Sequence, residues 1–443
     1  MTFLVALYLG QVEQEAFAYS PSNGESTQEG ESHETVIKLD DLYHQAWQLI
    51  RDTFYDPTLN GQRWSYWEHR FKGKLKTLDD AHKGIETMLV SLADRYTRFL
   101  NAQAFADENM QIAARLYGVG IQIGMNKNGK VVVISALEGT PAERAGLMPL
   151  DEISEIDGKS VDGLSVEDVS GRIRGPIGTE VAIAVVRNKE RMEFKLTRAE
   201  IAIRSVQSAR MLNSDVGYIR LSTFMSKDAS DEMRDALTKL SPARGIVLDL
   251  RDNPGGLLNN AIDVSNIFLD GGVIVSTVDR KGKKTHAMSI GKPISRQPLV
   301  VLINPRSASA SEITSGALRD NGRAELVGEK SLGKALVQAI HRLPDGSGIN
   351  ITIARYVTPD GIDINKVGIV PDYVVALTGE DYREARGPWW LDPGGPIVKR
   401  SPEDMKDIQL SKAVEVLEKK MKSTEAQYEL KLRFPGFGPS YGF

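Results

Sequence analysis

Between residues 201 and 377, short apolar runs alternate with segments of helical spacing, and this alternation constrains the fold more than any other feature of the chain. The runs lie at 216–221, 245–250, 299–303, 324–327 and 349–353, and the helical segments at 226–240 and 309–320. Strands that are apolar on both faces belong to a sheet covered on both sides. The pattern therefore predicts an α/β core.

The rest of the chain is organised around that core. With 443 residues, 41% of them hydrophobic, the chain has room for about two to four domains. Residues 35–102 read as a helical N-terminal region, with apolar residues recurring at three and four (Leu42, Ala46, Leu49, Ile50; Ile85, Met88, Leu89, Leu92) and a break at Asp56-Pro57. Residues 103–200 switch to strands and turns, with Gly118-Val119-Gly120-Ile121-Gln122-Ile123 and a β-branched run at 131–135. In residues 378–443, a Pro/Gly/Trp-rich loop at 387–396 leads to a Lys/Glu-rich helix at about 402–429 whose charged face is expected to be solvated. Residues 1–34 read as a tail or a residual export signal, with 2–10 as its apolar part, Ala16-Phe17-Ala18 as a small-x-small site and 20–32 as a spacer. No Lys or Arg precedes Lys38, and the apolar run is far shorter than the about 20 residues needed to span a bilayer.

Composition excludes several chemistries. A net charge of −4 and a pI near 6.0 give no basic footprint, so no nucleic-acid partner is expected. The absence of cysteine rules out disulfides, Cys-ligated zinc and a thiol nucleophile. No metal-ligand constellation is visible, and no cofactor is expected.

Ser307, Ser309 and Ser311 cluster just after the 299–303 run, and Lys334 follows Ser309 by 25 residues. A serine and a lysine make a nucleophile and its base without histidine, provided the amine is neutral. Its ordinary pKa is about 10.4, so the site must desolvate it, and the apolar neighbours Leu332, Ala335, Leu336 and Val337 suit that. A lone lysine is nevertheless usually a surface residue. Residues 328–334 also fit G-x-x-x-x-G-K, but Ala335 stands where a phosphate-binding loop needs Ser or Thr. No G-x-S-x-G elbow accompanies His286 or His341, and His341 is expected to face solvent or pack. Upstream, the 245–250 strand runs into Pro254-Gly255-Gly256, where glycine leaves backbone N–H groups open to a ligand.

N-P-R-S-A-S-A-S-E-I at 304–313, G-x-x-S-L-G-K-A-L-V-Q at 328–338, D-L-R-x-N-x-G-G at 249–256 and V-G-I-V-P-D at 367–372 resemble the carboxyl-terminal processing proteases, serine endopeptidases with a Ser/Lys dyad. The resemblance is strong over about 94–377. It implies a multidomain α/β architecture: a helical N-terminal region, a PDZ domain over 103–200, and a cap-and-crotonase-like protease core over 201–377 with a C-terminal helix. It places the nucleophile on the middle serine, Ser309, the base on Lys334, and on Gln338, about one helical turn further on, the task of holding the amine. Ser307 and Ser311 are left as turn and helix-start residues. The oxyanion hole falls to the N–H groups of Gly255 or Gly256 and of Ala310.

In the PDZ segment, Pro141 to Leu147 and Leu150 to Gly158 follow the expected order, with Tyr117, Gly118, Val119 and Gly120 as the carboxylate cradle and Arg174 as a cation able to reach the peptide or the core. Two departures stand out: Leu150 where a glycine is usual, and Ala335 where the family commonly continues Gly-Lys with Gly. Asp94-Arg95-Tyr96-Thr97-Arg98-Phe99-Leu100 resembles the family's D-x-Y-T-x-F-L entry to the PDZ domain, but taken by itself is only a helix exit with aromatic anchors.

The implied partners are protein or peptide C-termini, and the implied locations are the periplasm, the thylakoid lumen or the cell exterior. One subset of the family trims a photosystem II reaction-centre precursor. A peripheral membrane contact and a homo-oligomer are compatible with the resemblance. The rivals are a PDZ scaffold with an idle core, and a crotonase-like acyl-CoA enzyme, which would leave the PDZ segment unexplained.

Overall fold

The computed structural model describes residues 38–388 and 406–433, apart from positions 113–114, 127, 138, 203 and 385. The export-signal reading of 1–34 and the loop beyond 388 lie outside the described residues.

The central sheet has six strands in the order Val206–Met211, Val216–Leu221, Gly245–Asp249, Leu299–Ile303, Ala324–Gly328 and Tyr373–Val374, with neighbours parallel except for the first pair. Its side chains alternate between two cores, as the two-residue period of a strand requires. Ile246, Leu248, Leu299, Val301 and Ile303 pack with Met233, Val264, Ile313 and Leu318 from the helices Ala229–Lys239, Leu258–Asn266 and Ala310–Asp320. Val216, Tyr218, Val247, Val300 and Leu302 point the other way and meet Leu410, Ala413, Val416, Leu417 and Met421. These belong to the C-terminal helix, which begins at Ile408 rather than near 402 and runs to Arg433. That helix is thus the second cover of the sheet.

The fifth apolar run does not join this sheet. Residues 349–353 lie in the strand Gly348–Val357, which pairs antiparallel with Arg98–Leu100, Val273–Asp279 and Leu336–Arg342. The tight turn between Leu343 and Ser347 folds 336–342 back onto 348–357 as a hairpin, a local constraint that an apolar run alone does not reveal. The N-terminal helices Leu39–Thr53, Trp64–Arg70 and Leu78–Val90 share one core with Leu343, Ile349 and Ile351 of this hairpin.

A further sheet, in the order Ile121–Met125, Val131–Ala136, Glu152–Ile156, Glu180–Arg187 and Glu190–Thr197, has its own core and carries the helix Val166–Ile173. A ribbon of Arg115–Gly118 against Ala199–Ala202 joins it to the rest. At the unusual Leu150 the backbone takes φ 72°, and the buried Asp151 beside it receives a two-point ion pair from Arg187.

Candidate active site

Ser309 sits between a strand and a helix in a conformation few residues adopt. Its φ of 59° and ψ of −110° place it in a strained turn immediately before Ala310–Asp320. The turn is held from both sides. Ser307 Oγ donates to the Leu250 carbonyl (2.8 Å), Ser311 Oγ donates to the Asn253 carbonyl (2.9 Å), and the Ser309 N–H donates to Glu312 Oε2 (2.7 Å). Ser309 Oγ itself is fully buried and has no hydrogen-bond partner among the described residues. The two flanking serines hold backbone, and the middle one is left uncommitted.

Lys334 comes to the same place by a different route. Glu312 Oε2, which accepts the Ser309 N–H, also accepts the Lys334 N–H (2.9 Å), while Oε1 accepts from Gly333 N–H (2.7 Å) and Ser331 Oγ (2.5 Å). The Tyr356 hydroxyl faces the carbonyls of Ser309 (3.2 Å) and Lys334 (2.5 Å). Two buried side chains thus bind the backbones of both residues and fix one against the other. The Lys334 side chain is only 2% exposed, and its Nζ lies 4.7 Å from the centroid of the Tyr96 ring. Burial first, and then the nearby Arg95 and Arg98 charges, push its pKa from 10.5 to about 8, against an upward pull from Asp94 and Glu312. Glu312 is itself pushed up by burial, while its four donors pull it down.

Gln338 is not a helical turn beyond Lys334. It lies on the strand Leu336–Arg342, where a register shift between Val337 and Gln338 sets it opposite Thr352. Its Nε2 reaches Thr352 Oγ1 at 3.4 Å, and its buried Oε1 has no partner among the described residues. Thr352 Oγ1 donates in turn to Asp94 Oδ2 (2.6 Å).

The glycine turn abuts Ser309. A Cβ on Gly255, whose φ is 97°, would fall 2.7 Å from the Ala308 oxygen and 2.9 Å from the Ala310 nitrogen. The Gly255 N–H is taken by Asn253 Oδ1 (2.9 Å), so Gly255 as an oxyanion donor is corrected. The N–H groups of Gly256 and Ala310 have no acceptor among the described residues. Gly256 also bridges Phe224, where a Cβ would fall 2.2 Å from the Phe224 carbonyl carbon.

Several residues here were given no role by the sequence. Glu312 was signalled by its Ser-x-x-Glu spacing, the sequence form of a capping box, although only the Glu312 half is formed. Asp94 and Tyr96 were visible in D-x-Y-T-x-F-L. Arg251 is wholly buried between Asp249 (2.7 Å) and Asp407 (2.8 Å), and so ties the C-terminal helix to the strand that enters the glycine turn. No local pattern announced Asp407 or Tyr356. His286 Nδ1 bonds Ser276 Oγ (2.8 Å) in a hairpin, and neither it nor His341 hydrogen-bonds the Ser309 hydroxyl.

The residues read as peptide-binding sit around the strand Ile121–Met125. Ile121–Met125 is an edge strand, paired only with Val131–Ala136, and lies against the helix Val166–Ile173. Tyr117 and Gly118 end the ribbon that precedes it, and the N–H groups of the buried residues Val119 and Gly120 have no acceptor among the described residues. Gly120 has φ 80°, and a Cβ there would strike Thr140 at 2.3 Å. Arg174 is the exposed C-cap of that helix. Buried Arg198 donates to the Ile173 and Glu180 carbonyls (2.8 Å each), which closes the same helix end.

A buried serine in a strained turn, a desolvated lysine fixed beside it and open N–H groups at a helix start suit an acyl-transfer hydrolase. Residues 215–375 match the model of peptidase family S41, and 132–187 match a PDZ domain. A carboxyl-terminal-processing protease of Picosynechococcus sp. is 42% identical over 343 residues, 76% of this chain and 83% of that one. The chloroplastic carboxyl-terminal-processing peptidase 3 of Arabidopsis thaliana is 37% identical over 76% of this chain and 68% of its own. The solved structure of a photosystem II D1 C-terminal processing protease superposes with a TM-score of 0.54 at 33% identity, covering 77% of this chain and 94% of that one. The chain belongs to peptidase family S41, among the carboxyl-terminal processing proteases, and is a serine-type peptidase with a PDZ domain.

Proposed function

We propose that Ser309 and Lys334 carry out hydrolysis near the C-terminus of protein substrates whose free carboxylate is read by the PDZ groove. The supporting observation is the shared fixation of the two backbones by Glu312 and Tyr356, with both reacting groups buried. Neutral Lys334 Nζ takes the Ser309 proton as Oγ attacks the scissile carbonyl carbon. The N–H groups of Gly256 and Ala310 receive the oxyanion, and the ammonium then protonates the departing amine. Water, deprotonated by the same amine, attacks the acyl-enzyme; Lys334 returns the proton to Oγ as the ester breaks and the acid leaves. Gln338 orients the amine.

The substrate C-terminus adds as a strand to Ile121–Met125, with its carboxylate at Val119 and Gly120, flanked by Tyr117 and Gly118 and within reach of Arg174. By extension from the cyanobacterial and chloroplastic relatives, the compartment is the thylakoid lumen or periplasm, and the substrates include a photosystem II reaction-centre precursor. Two peptides that differ only in a free or amidated C-terminus provide the test. Wild type should prefer the acid, Arg174→Ala should lose that preference, and Ser309→Ala should cleave neither. Equal cleavage of both peptides by wild type would remove C-terminal recognition from the reading.

A further inference from the structure

We propose that Tyr96 is a positioning residue for Lys334: its ring face, delivered from the N-terminal region, holds the Nζ in the site and favours its protonated form. The segment that carries Tyr96 is fixed at many points. Asp94 Oδ1 accepts the Tyr96 N–H (3.1 Å), and Asp94 Oδ2 accepts the hydroxyls of Thr97 (2.7 Å) and Thr352 (2.6 Å). The Thr352 N–H donates to Thr97 Oγ1 (3.1 Å), and Arg98 pairs with Asn350 in the strand register. Glu108 then accepts from both Arg98 (2.6 Å) and Asn350 (2.7 Å). Thr352, the anchor of this segment, is also the strand partner of Gln338, so one set of contacts places the ring and the glutamine together.

The charges around Lys334 show what the ring contributes. Arg95 and Arg98 from the same segment repel the ammonium; Asp94, Glu108 from the helix Ala102–Ile112 and Glu312 from the nucleophile helix attract it. A nearby carboxylate attracts an ammonium strongly and raises its pKa. An aromatic face attracts the cation more weakly, which keeps the amine in place and still lets it deprotonate.

The inference rests on Lys334 being the base, and its test reads the lysine separately from catalysis. In a Ser309→Ala background, the pH dependence of Lys334 acetylation by acetic anhydride, followed by mass spectrometry, gives the amine's midpoint. Tyr96→Phe should keep the parent midpoint. Tyr96→Leu, which preserves apolar cover without the ring, should lower it by about 0.5–1.5 pH units. Tyr96→Ala, which admits water, should raise it. In the enzymes with Ser309 intact, the acid limb of kcat/KM should move in the same directions. An unchanged midpoint in Tyr96→Leu, a rise there like that of Tyr96→Ala, or a fall in Tyr96→Phe as large as in Tyr96→Leu would each overturn the role of the ring. Midpoints that move as expected while the kcat/KM limb stays still would uphold the ring and refute Lys334 as the base.

Discussion

Ser309 concentrates two unfavourable features in one residue, a positive φ and a buried hydroxyl without a partner among the described residues. Backbone strain of this kind costs about 1–3 kcal/mol, and an orphaned buried polar group a similar amount. A purely structural serine gains nothing from either, as its neighbours Ser307 and Ser311 illustrate by spending their hydroxyls on backbone carbonyls. If Ser309 and Lys334 act as a unit, Ser309→Ala and Lys334→Ala should each abolish hydrolysis, and the double variant should be no worse than either. Retention of more than about a tenth of the activity in Lys334→Ala, a loss under tenfold, would break the assignment. The pH profile follows from the same residue. Because the base must be neutral, kcat/KM should rise with pH through about 8 and level off above it. A limb near the ordinary histidine value of about 6.5, abolished by His341→Gln, would move the role to histidine.

At the scale of elements, the site is made by turns that close on one another. Gly255 lies against Ala308, Ser309 and Ala310, so Gly255→Ala would put a methyl group beside the Ala310 N–H and force a side chain to φ 97°. Activity should fall by at least two orders of magnitude, the loss typical of a missing oxyanion donor, with KM for a peptide substrate little changed. A large rise in KM with kcat intact would mean that the turn binds substrate and does not stabilise the oxyanion. The strands around these turns were legible because their runs of Val, Leu and Ile are apolar on both faces, and the candidates Ser309 and Lys334 were singled out by the motifs that carry them, whereas the role read for Gly255 did not foresee that Asn253 takes its N–H. Other features were not legible. The run at 349–353 looks like its fellows, and only the hairpin turn after Leu343 sends it to another sheet. Gln338 reads as one turn of helix after Lys334, since four-residue spacing does not reveal a bulged strand. Asp94 and Tyr96 lie more than 200 residues from Lys334, and their approach depends on Arg98 pairing with Asn350, a long-range contact that no local pattern encodes.

For the molecule as a whole, the burial of Lys334 works against stability. Its pKa is about 8 in the folded protein and 10.5 as an ordinary side chain, so between these values the unfolded chain holds a proton that the native state has released. Stability therefore rises with pH across that window, and below pH 8 the folded protein carries the full penalty of a buried ammonium, about 3 kcal/mol. The C-terminal helix, clamped through Asp407 to Arg251, and the N-terminal helices, packed on Ile349 and Ile351, bring the burial that offsets this cost. Lys334→Met keeps the length and apolar contacts of the side chain and removes its charge. At pH 7 this inactive variant should resist denaturant better than wild type, by up to about 3 kcal/mol, and the advantage should shrink toward zero as pH rises from 8 to 10.5. Urea unfolding of the two proteins at pH 7 and pH 10, followed by a core probe such as the tryptophan fluorescence of Trp47 and Trp64, measures the difference. A gap that stayed constant with pH would show that Lys334 is not desolvated in the folded enzyme, and its competence as a base would need another cause.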